Sequence, residues 1–328
     1  MTAEQPRDTL LPRLALARGP LHSDALRSDP DWLITATAAG GLAVGVAGDR
    51  VAVRAAADGR PTLDWRPLGP AEAGTGVLLD PGASGASSAS STQQRPRVAL
   101  LDDPPAHSSS AMLSLRDVGA ELAADDASWA TTAVALAQWH ARHRHCPRCG
   151  TRTRVSDAGW SRTCPQDTST HFPRTDPAVI VLVRDSRDRA LLGRRTDWPL
   201  TWYSTLAGFV EAGESVEYAV RREVAEESGV HVDPARLAYR GSQPWPFPNS
   251  LMLGFHAWIS GSQTPTPDGE EIAEARWFSR AEIADLAARG EVRVPPRVSI
   301  ARHLIEDWYG GELDASWARP TVARADDS

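Results

Sequence analysis

The chain has 328 residues, of which 41% are hydrophobic and 23% charged; this is the mix of a soluble globular protein, and the length suggests two or three domains. A net charge of -7 and an isoelectric point near 5.7 argue against a broadly basic nucleic-acid binder, while leaving room for a local basic patch. No apolar run approaches the roughly 20 residues that span a bilayer, and the opening MTAEQPRDTLLPRLALARGP lacks a secretory apolar stretch, so no membrane partner and a cytoplasmic location are expected.

The first 80 residues read as short β-like runs, LITATAAGGLAVGVAG and RVAVRAAA, with Trp32 and Trp65 expected in a core and no chemical motif. Residues 81–94, PGASGASSASSTQQ, read as a flexible linker or long disordered loop. A β-like run resumes at RVALL. From Asp126 to about His143 the pattern turns helical, with Ala133, Leu136, Ala137 and His140 at three- and four-residue spacing. A cysteine segment follows. AVIVLV then reads as a buried strand beside ALLGRR, joined by RDSRDR. A helix is predicted over 215–228, then strands at LAYRGSQ, SLMLGFHAWIS and EARWFS, then helices at RAEIADLAARG and SIARHLIEDWYG. The expected class is α/β: a mixed α/β/α sandwich preceded by a zinc-ribbon-like knuckle and an N-terminal α+β domain. The expected boundaries are 1–125 for the N-terminal domain, 126–173 for linking helix and ribbon, 174–312 for a catalytic domain and 313–328 for a flexible tail.

Residues 208–230, GFVEAGESVEYAVRREVAEESGV, carry the chemistry. Gly208, Glu214, Arg222, Glu223, Val224, Glu226, Glu227, Gly229 and Val230 fall at every fixed position of the Nudix box, a chance match of roughly one in ten million at average residue usage. Glu223, Glu226 and Glu227 stand at i, i+3 and i+4 and are predicted to share one helical face. Clustered carboxylates repel unless a cation joins them. Their hard oxygens suit Mg²⁺ or Mn²⁺, which can neutralise a pyrophosphate and activate a water. Arg222 can orient a glutamate through a bidentate pair. Gly208 and Gly213 permit tight turns, and Gly229 is placed to end the helix in the left-handed region. For the proton from water, Glu226, Glu227 and a loop glutamate all stay open. The competing reading of EVAEES alone is a solvated acidic face.

Downstream lies SQPWPFPNS, where three prolines stiffen the backbone and Trp245 and Phe247 offer flat faces for a base or nicotinamide ring. Cysteine cluster, box and this loop together resemble the NudC-type NADH pyrophosphatase branch of the Nudix hydrolases, over about residues 130–308. The resemblance implies homodimers with an N-terminal domain, which resembles a Nudix domain, followed by a zinc ribbon and a catalytic Nudix domain. It implies cleavage of NAD(H) to nicotinamide mononucleotide and AMP, and removal of NAD caps from RNA 5′ ends. It also implies metal ligands at Glu223, Glu227 and Glu271, with Glu226 between them, and a backbone carbonyl from Ala207. Substrate contacts are implied at Phe172, Phe209, Ala301 and the loop residues Gln243, Pro244, Trp245, Pro246, Phe247, Pro248, Asn249 and Ser250. A family glutamate in the ribbon has Gly159 in its place. Alternatives are a Nudix hydrolase acting mainly on another nucleoside diphosphate derivative such as ADP-ribose, or a non-catalytic ligand sensor, which would be expected to lack box carboxylates.

All three cysteines lie in the ribbon segment: Cys146 and Cys149 form a CxxC knuckle and Cys164 follows, an odd cluster that points to metal over disulfides. Asp167 stands where the family has a fourth cysteine. Zn²⁺ accepts a carboxylate oxygen, so a Cys3Asp structural site is expected, with His171, His145 or a water as other fourth ligands. The alternative is a decayed site held by packing. His140, His143 and His145 read as polar helix-end residues.

Overall fold

A computed structural model describes residues 14–17, 27–69, 76–82, 95–102, 107 and 109–318. The linker expected at 81–94 lies outside them beyond residue 82, as do most of the opening segment and the tail beyond residue 318. The chain forms two compact units. One comprises Asp176–Gln243 and the described part of Leu251–Ser328, with Leu14; the other comprises the described part of Ala15–Thr175 together with Pro244–Ser250.

The second unit opens with helix α1 (Trp32–Ala38), which corrects the β-like reading of LITATA. Leu33 and Ala36 are buried at i and i+3, and Gly40 at φ +71° follows the helix. A short alanine-rich run packed on one side settles as a helix, whatever its threonines prefer. Strand β1 (Leu42–Ala47) begins only after this stop and pairs with β2 (Arg50–Ala55). Then come β3 (Pro61–Leu63), β4 (Arg66–Pro67), β5 (Gly76–Asp80), β6 (Arg97–Leu101) and β7 (Ala111–Ser114). The main sheet order is β3-β2-β1-β6-β5; β4 also pairs with β1 and β7 with β2. Trp32 and Trp65 are half-buried.

Short helix α2 (Leu115–Val118) leads to α3 (Ala124–Arg142), where Ala133, Leu136, Ala137 and His140 are buried as the spacing predicts. Asp126 in its first turn accepts from Thr62 Oγ1 at 2.7 Å, the Leu63 amide at 3.0 Å and Trp65 Nε1 at 3.2 Å, tying the helix to β3. Strands β8 (Arg154–Ser156), β9 (Ser161–Thr163) and β10 (Thr170–His171) form the ribbon's own antiparallel sheet.

The first unit has the expected mixed α/β sandwich. Strands β11 (Asp176–Arg184) and β12 (Ala190–Arg195) pair antiparallel, followed by β13 (Leu206–Phe209), α4 (Val216–Ser228), β14 (Leu237–Trp245), β15 (Ser250–Trp258), β16 (Ile272–Phe278), α5 (Arg280–Ala288) and α6 (Ile300–Tyr309). The sheet order is β14-β15-β11-β12-β16, with β13 on β11. Strand β11 is buried on both faces. Val179, Val181 and Val183 join Ala219, Val220 and Val224 of α4 in one core, and strand alternation turns Ile180 and Leu182 the other way; α6 also packs on β11. Each such side chain contributes about 1.5–3 kcal/mol on burial, which makes β13 and α4 a rigid pair for the groups at their edges.

Candidate active site and metal centre

Helix α4 is bounded at both ends by its own sequence. The Ser215 hydroxyl accepts from the Tyr218 amide at 3.4 Å, capping the start. Gly229 ends the helix at φ +67°, and a Cβ there would meet Thr266 Oγ1 at 2.0 Å. Between these points Ala219, Val220 and Val224 pack into the sheet's core, Glu223 reaches β13, and Glu226 is exposed. Gly208 has a different reason to lack a side chain: a Cβ on it would sit 1.9 Å from Glu223 Cδ. The Glu223 carboxyl lies directly on the backbone of β13.

Arg222 ties the segment together. Its Nε and Nη2 donate to Glu214 at 3.0 and 2.8 Å, Nη1 to Glu223 Oε1 at 2.8 Å and Glu226 Oε2 at 3.0 Å, and Nη2 also to the Phe209 carbonyl at 2.8 Å. The bidentate partner is thus Glu214, in the loop before the helix. The three box glutamates differ in environment. Glu226 has a side chain 60% exposed, whereas Glu227 is 5% exposed and accepts from the Ala207 amide at 3.1 Å. Burial, then the charges of Glu271 and Glu223, push Glu227 up to about 8, and burial also raises Glu223. Arg195 of β12 forms an ion pair with Glu271 and another with Asp197 at 3.2 Å. Sequence reading missed Arg195 because one arginine in a strand carries no local signal. All the donors here are hard oxygens under mutual repulsion, and this set fits a divalent cation of the Mg²⁺ or Mn²⁺ type.

The Pro/aromatic loop belongs to the second unit. Trp245 and Phe247 meet edge to face, with ring centroids 5.0 Å apart. The Arg116 guanidinium lies 4.2 Å from the Phe247 ring centroid and 5.4 Å from that of Trp245. Arg116 is also absent from the sequence expectations, since it lies more than a hundred residues upstream of the loop. Pro246 is buried, Pro248 exposed, and Pro244, Asn249 and Ser250 lie between. Gln243 is placed otherwise than a ligand contact would be: it is fully buried, its Nε2 donating to the Val298 carbonyl and its Oε1 accepting from the Ile300 amide, each at 2.8 Å. Ala301 is buried in the first turn of α6. Phe172 and Phe209 are both exposed, as a stacking surface must be.

Cys146, Cys149, Cys164 and Asp167 bring one donor atom each within 4.8 Å of one another; among the described residues no other group of three or more His/Cys/Asp/Glu side chains is gathered this closely. Cys149 Sγ and Cys164 Sγ are 3.5 Å apart, and Cys146 Sγ is 3.4 Å from Asp167 Oδ2. A tetrahedral zinc with sulfur ligands has edges of about 3.8 Å, so the donor set fits. Asp167 is oriented by the Ser169 hydroxyl and by the Ser169 amide at 3.0 Å, which hold its carboxyl well below the usual range. His171 stands one layer out, its Nε2 3.1 Å from Ser169 Oγ. Gly159, where the family glutamate would stand, has φ +91°, and a Cβ would meet Val77 Cγ2 at 2.7 Å. A side chain there is excluded by packing as well as by sequence.

Comparison with known proteins agrees with these two features. The NUDIX domain family matches residues 174–298, and the NADH pyrophosphatase zinc ribbon domain matches residues 141–172. Relatives named NAD-capped RNA hydrolase NudC from Mycobacterium bovis and Mycobacterium tuberculosis are 44% identical over 208 residues, covering 61% of this chain and 66% of theirs. NAD-capped RNA hydrolase NUDT12 of Homo sapiens is 38% identical over 200 residues, covering 57% of this chain and 43% of its own. The matched region thus spans just under two thirds of the mycobacterial proteins. No helix among the described residues is long and apolar enough to cross a membrane.

Proposed function

We propose that the chain is a Nudix hydrolase, since residues 174–298 match the NUDIX domain family and residues 141–172 the NADH pyrophosphatase zinc ribbon domain, and that it hydrolyses the pyrophosphate bond of NAD(H) to nicotinamide mononucleotide and AMP and removes NAD caps from RNA 5′ ends. The observation that carries this reading is the carboxylate cluster: Glu223 seated on Gly208, and Glu227 buried beneath the Ala207 amide in the field of Glu271. Glu223, Glu227 and Glu271, with Glu226 and the Ala207 carbonyl, would hold Mg²⁺ or Mn²⁺, which when bound supplies charge neutralisation and an acidified water. Arg222 keeps Glu223 and Glu226 in place through its grip on Glu214 and the Phe209 carbonyl. A carboxylate of the cluster takes the proton of the attacking water. Water adds to one phosphorus, the bridging oxygen leaves with the other, and two monophosphates result. In the second unit Trp245, Phe247 and Phe172 are suited to stack on a planar ring, and in the first unit so is Phe209. Cys146, Cys149, Cys164 and Asp167 would hold a structural zinc. A homodimer, as the resemblance implies, and the cytoplasmic location expected from the sequence complete the proposal.

The direct test is Glu227→Gln, with NADH, NAD-capped RNA and ADP-ribose compared on one preparation. Turnover of NADH is expected to fall by about 100-fold or more with the fold intact. Near-normal turnover, or a wild-type preference for ADP-ribose, would refute the assignment.

A further inference from the structure

The second unit contains a pocket of about 220 Å³ that shares no residue with the carboxylate cluster or the cysteine site. Strand ends of the main sheet, the last turns of α3 and the ribbon strands wall it. Three arginines line it: Arg144 just past α3, Arg152, and Arg162 on β9.

Arg162 is only 7% exposed, yet it has no ion pair among the described residues. Its Nε donates to Thr153 Oγ1 at 2.7 Å, Nη2 to the Thr153 carbonyl at 3.0 Å and Nη1 to His140 Nδ1 at 2.9 Å. His140 accepts on Nδ1 and donates from Nε2 to the Gly159 carbonyl at 2.9 Å, which fixes it as the neutral tautomer. All three acceptors are neutral. One N–H on each terminal nitrogen of Arg162 is left over. Arg144 and Arg152 have no ion pair among the described residues, and both act on Arg162 as like charges, beyond the effect of its burial. Among the described residues Asp102 is the one acid in the lining, and it forms no ion pair with these arginines. A buried cation with only neutral partners and two further cations around the same hollow is unfavourable until an anion enters. A wider cavity of about 640 Å³ shares Gly76, Arg152, Val155 and Arg162 with the pocket and is also lined by Trp32 and Arg154. A ligand bearing a phosphate therefore has room for its remainder beside an aromatic ring.

We propose that Arg144, Arg152 and Arg162 form a second anion site, which takes a phosphate group either as free phosphate or as the phosphomonoester end of a mononucleotide. Planar guanidinium forks suit phosphate oxygens in a way a halide cannot reproduce. The site is independent of the reaction proposed above, and the two can fail separately.

The test is calorimetric titration of the full chain with sodium phosphate, with AMP and with adenosine, at constant ionic strength set by sodium chloride. Arg144→Gln/Arg152→Gln is the variant: both side chains are exposed and form no ion pair among the described residues, so the fold should persist, as circular dichroism and elution volume will report. Saturable binding of phosphate or AMP, absent for adenosine and weakened at least tenfold in the double variant, is expected. AMP binding tighter than phosphate identifies the mononucleotide as the source, and equal or weaker binding identifies free phosphate. Undiminished binding in the folded double variant, or heat no larger than chloride produces, overturns the proposal.

Discussion

Gly208→Ala tests whether the position of the Glu223 carboxyl, as distinct from its presence, governs catalysis. The added methyl would lie 1.9 Å from Glu223 Cδ and 2.1 Å from each of its oxygens, so the carboxyl must leave. It sits at the end of a flexible side chain that is 14% exposed. Gly208 is not among the residues with positive φ, so the backbone accepts alanine without strain. The loss of stability is then at most the Glu223–Arg222 contact at 2.8 Å, about 1.5–3 kcal/mol for a charge-assisted hydrogen bond. Arg222 keeps Glu214, Glu226 and the Phe209 carbonyl. Displacing a metal-facing group by about 1 Å or more costs roughly 100-fold in rate. Steady-state hydrolysis of NADH with saturating Mg²⁺ or Mn²⁺, beside thermal unfolding, separates the two effects. The expected pattern is a small drop in melting temperature and a kcat reduced by about two orders of magnitude. A folded variant with nearly unchanged kcat would show that Glu223 does not act from its place on β13.

Three further outcomes are expected. Glu227 is raised to about 8 in the folded chain, so the folded state holds its proton above the pH where the unfolded chain releases it. Stability is therefore full below the ordinary carboxylate range and falls as pH rises towards 8, by at most about 1.4 kcal/mol per pH unit. Melting without catalytic metal should show this slope, and Mg²⁺ should flatten it; a flat metal-free profile would contradict the burial argument. Purified, reduced protein should hold close to one zinc per chain and Cys164→Ser should lose it; elemental analysis finding none in the parent protein would remove the Cys3Asp site. Arg116→Ala should raise KM for NADH several-fold with kcat little changed, since a cation–π contact contributes about 0.5–2 kcal/mol. An unchanged KM would reduce Arg116 to a packing residue.

What could be read in advance was whatever repeats over short distances. The box helix announces itself through the spacing of its glutamates and its terminal glycine. The strand pair AVIVLV and ALLGRR announces itself through an unbroken apolar run and a polar turn. The α1 helix escaped because its run is too short for a period to emerge and its threonines favour strands. Arg116, Arg195 and Arg162 escaped for another reason: each acquires meaning only from residues brought to it by the fold. The i, i+3, i+4 spacing placed three glutamates together but could not foresee that Glu227 is buried and Glu226 exposed. That division depends on β13, which covers one side of the helix.

Helix α4 also works as a ruler. Ser215 sets its zero and Gly229, lodged against Thr266, sets its end, while Gly208 marks the point on β13 that Glu223 must reach. Each residue advances a helix by about 100°, so one inserted before Glu223 would swing every later carboxylate off this mark and expose Val224 in exchange. Outward positions such as Glu217, Tyr218 and Arg221 have no such duty and tolerate replacement. Evolution or a designer can rewrite those outward positions freely, and the length of the element not at all.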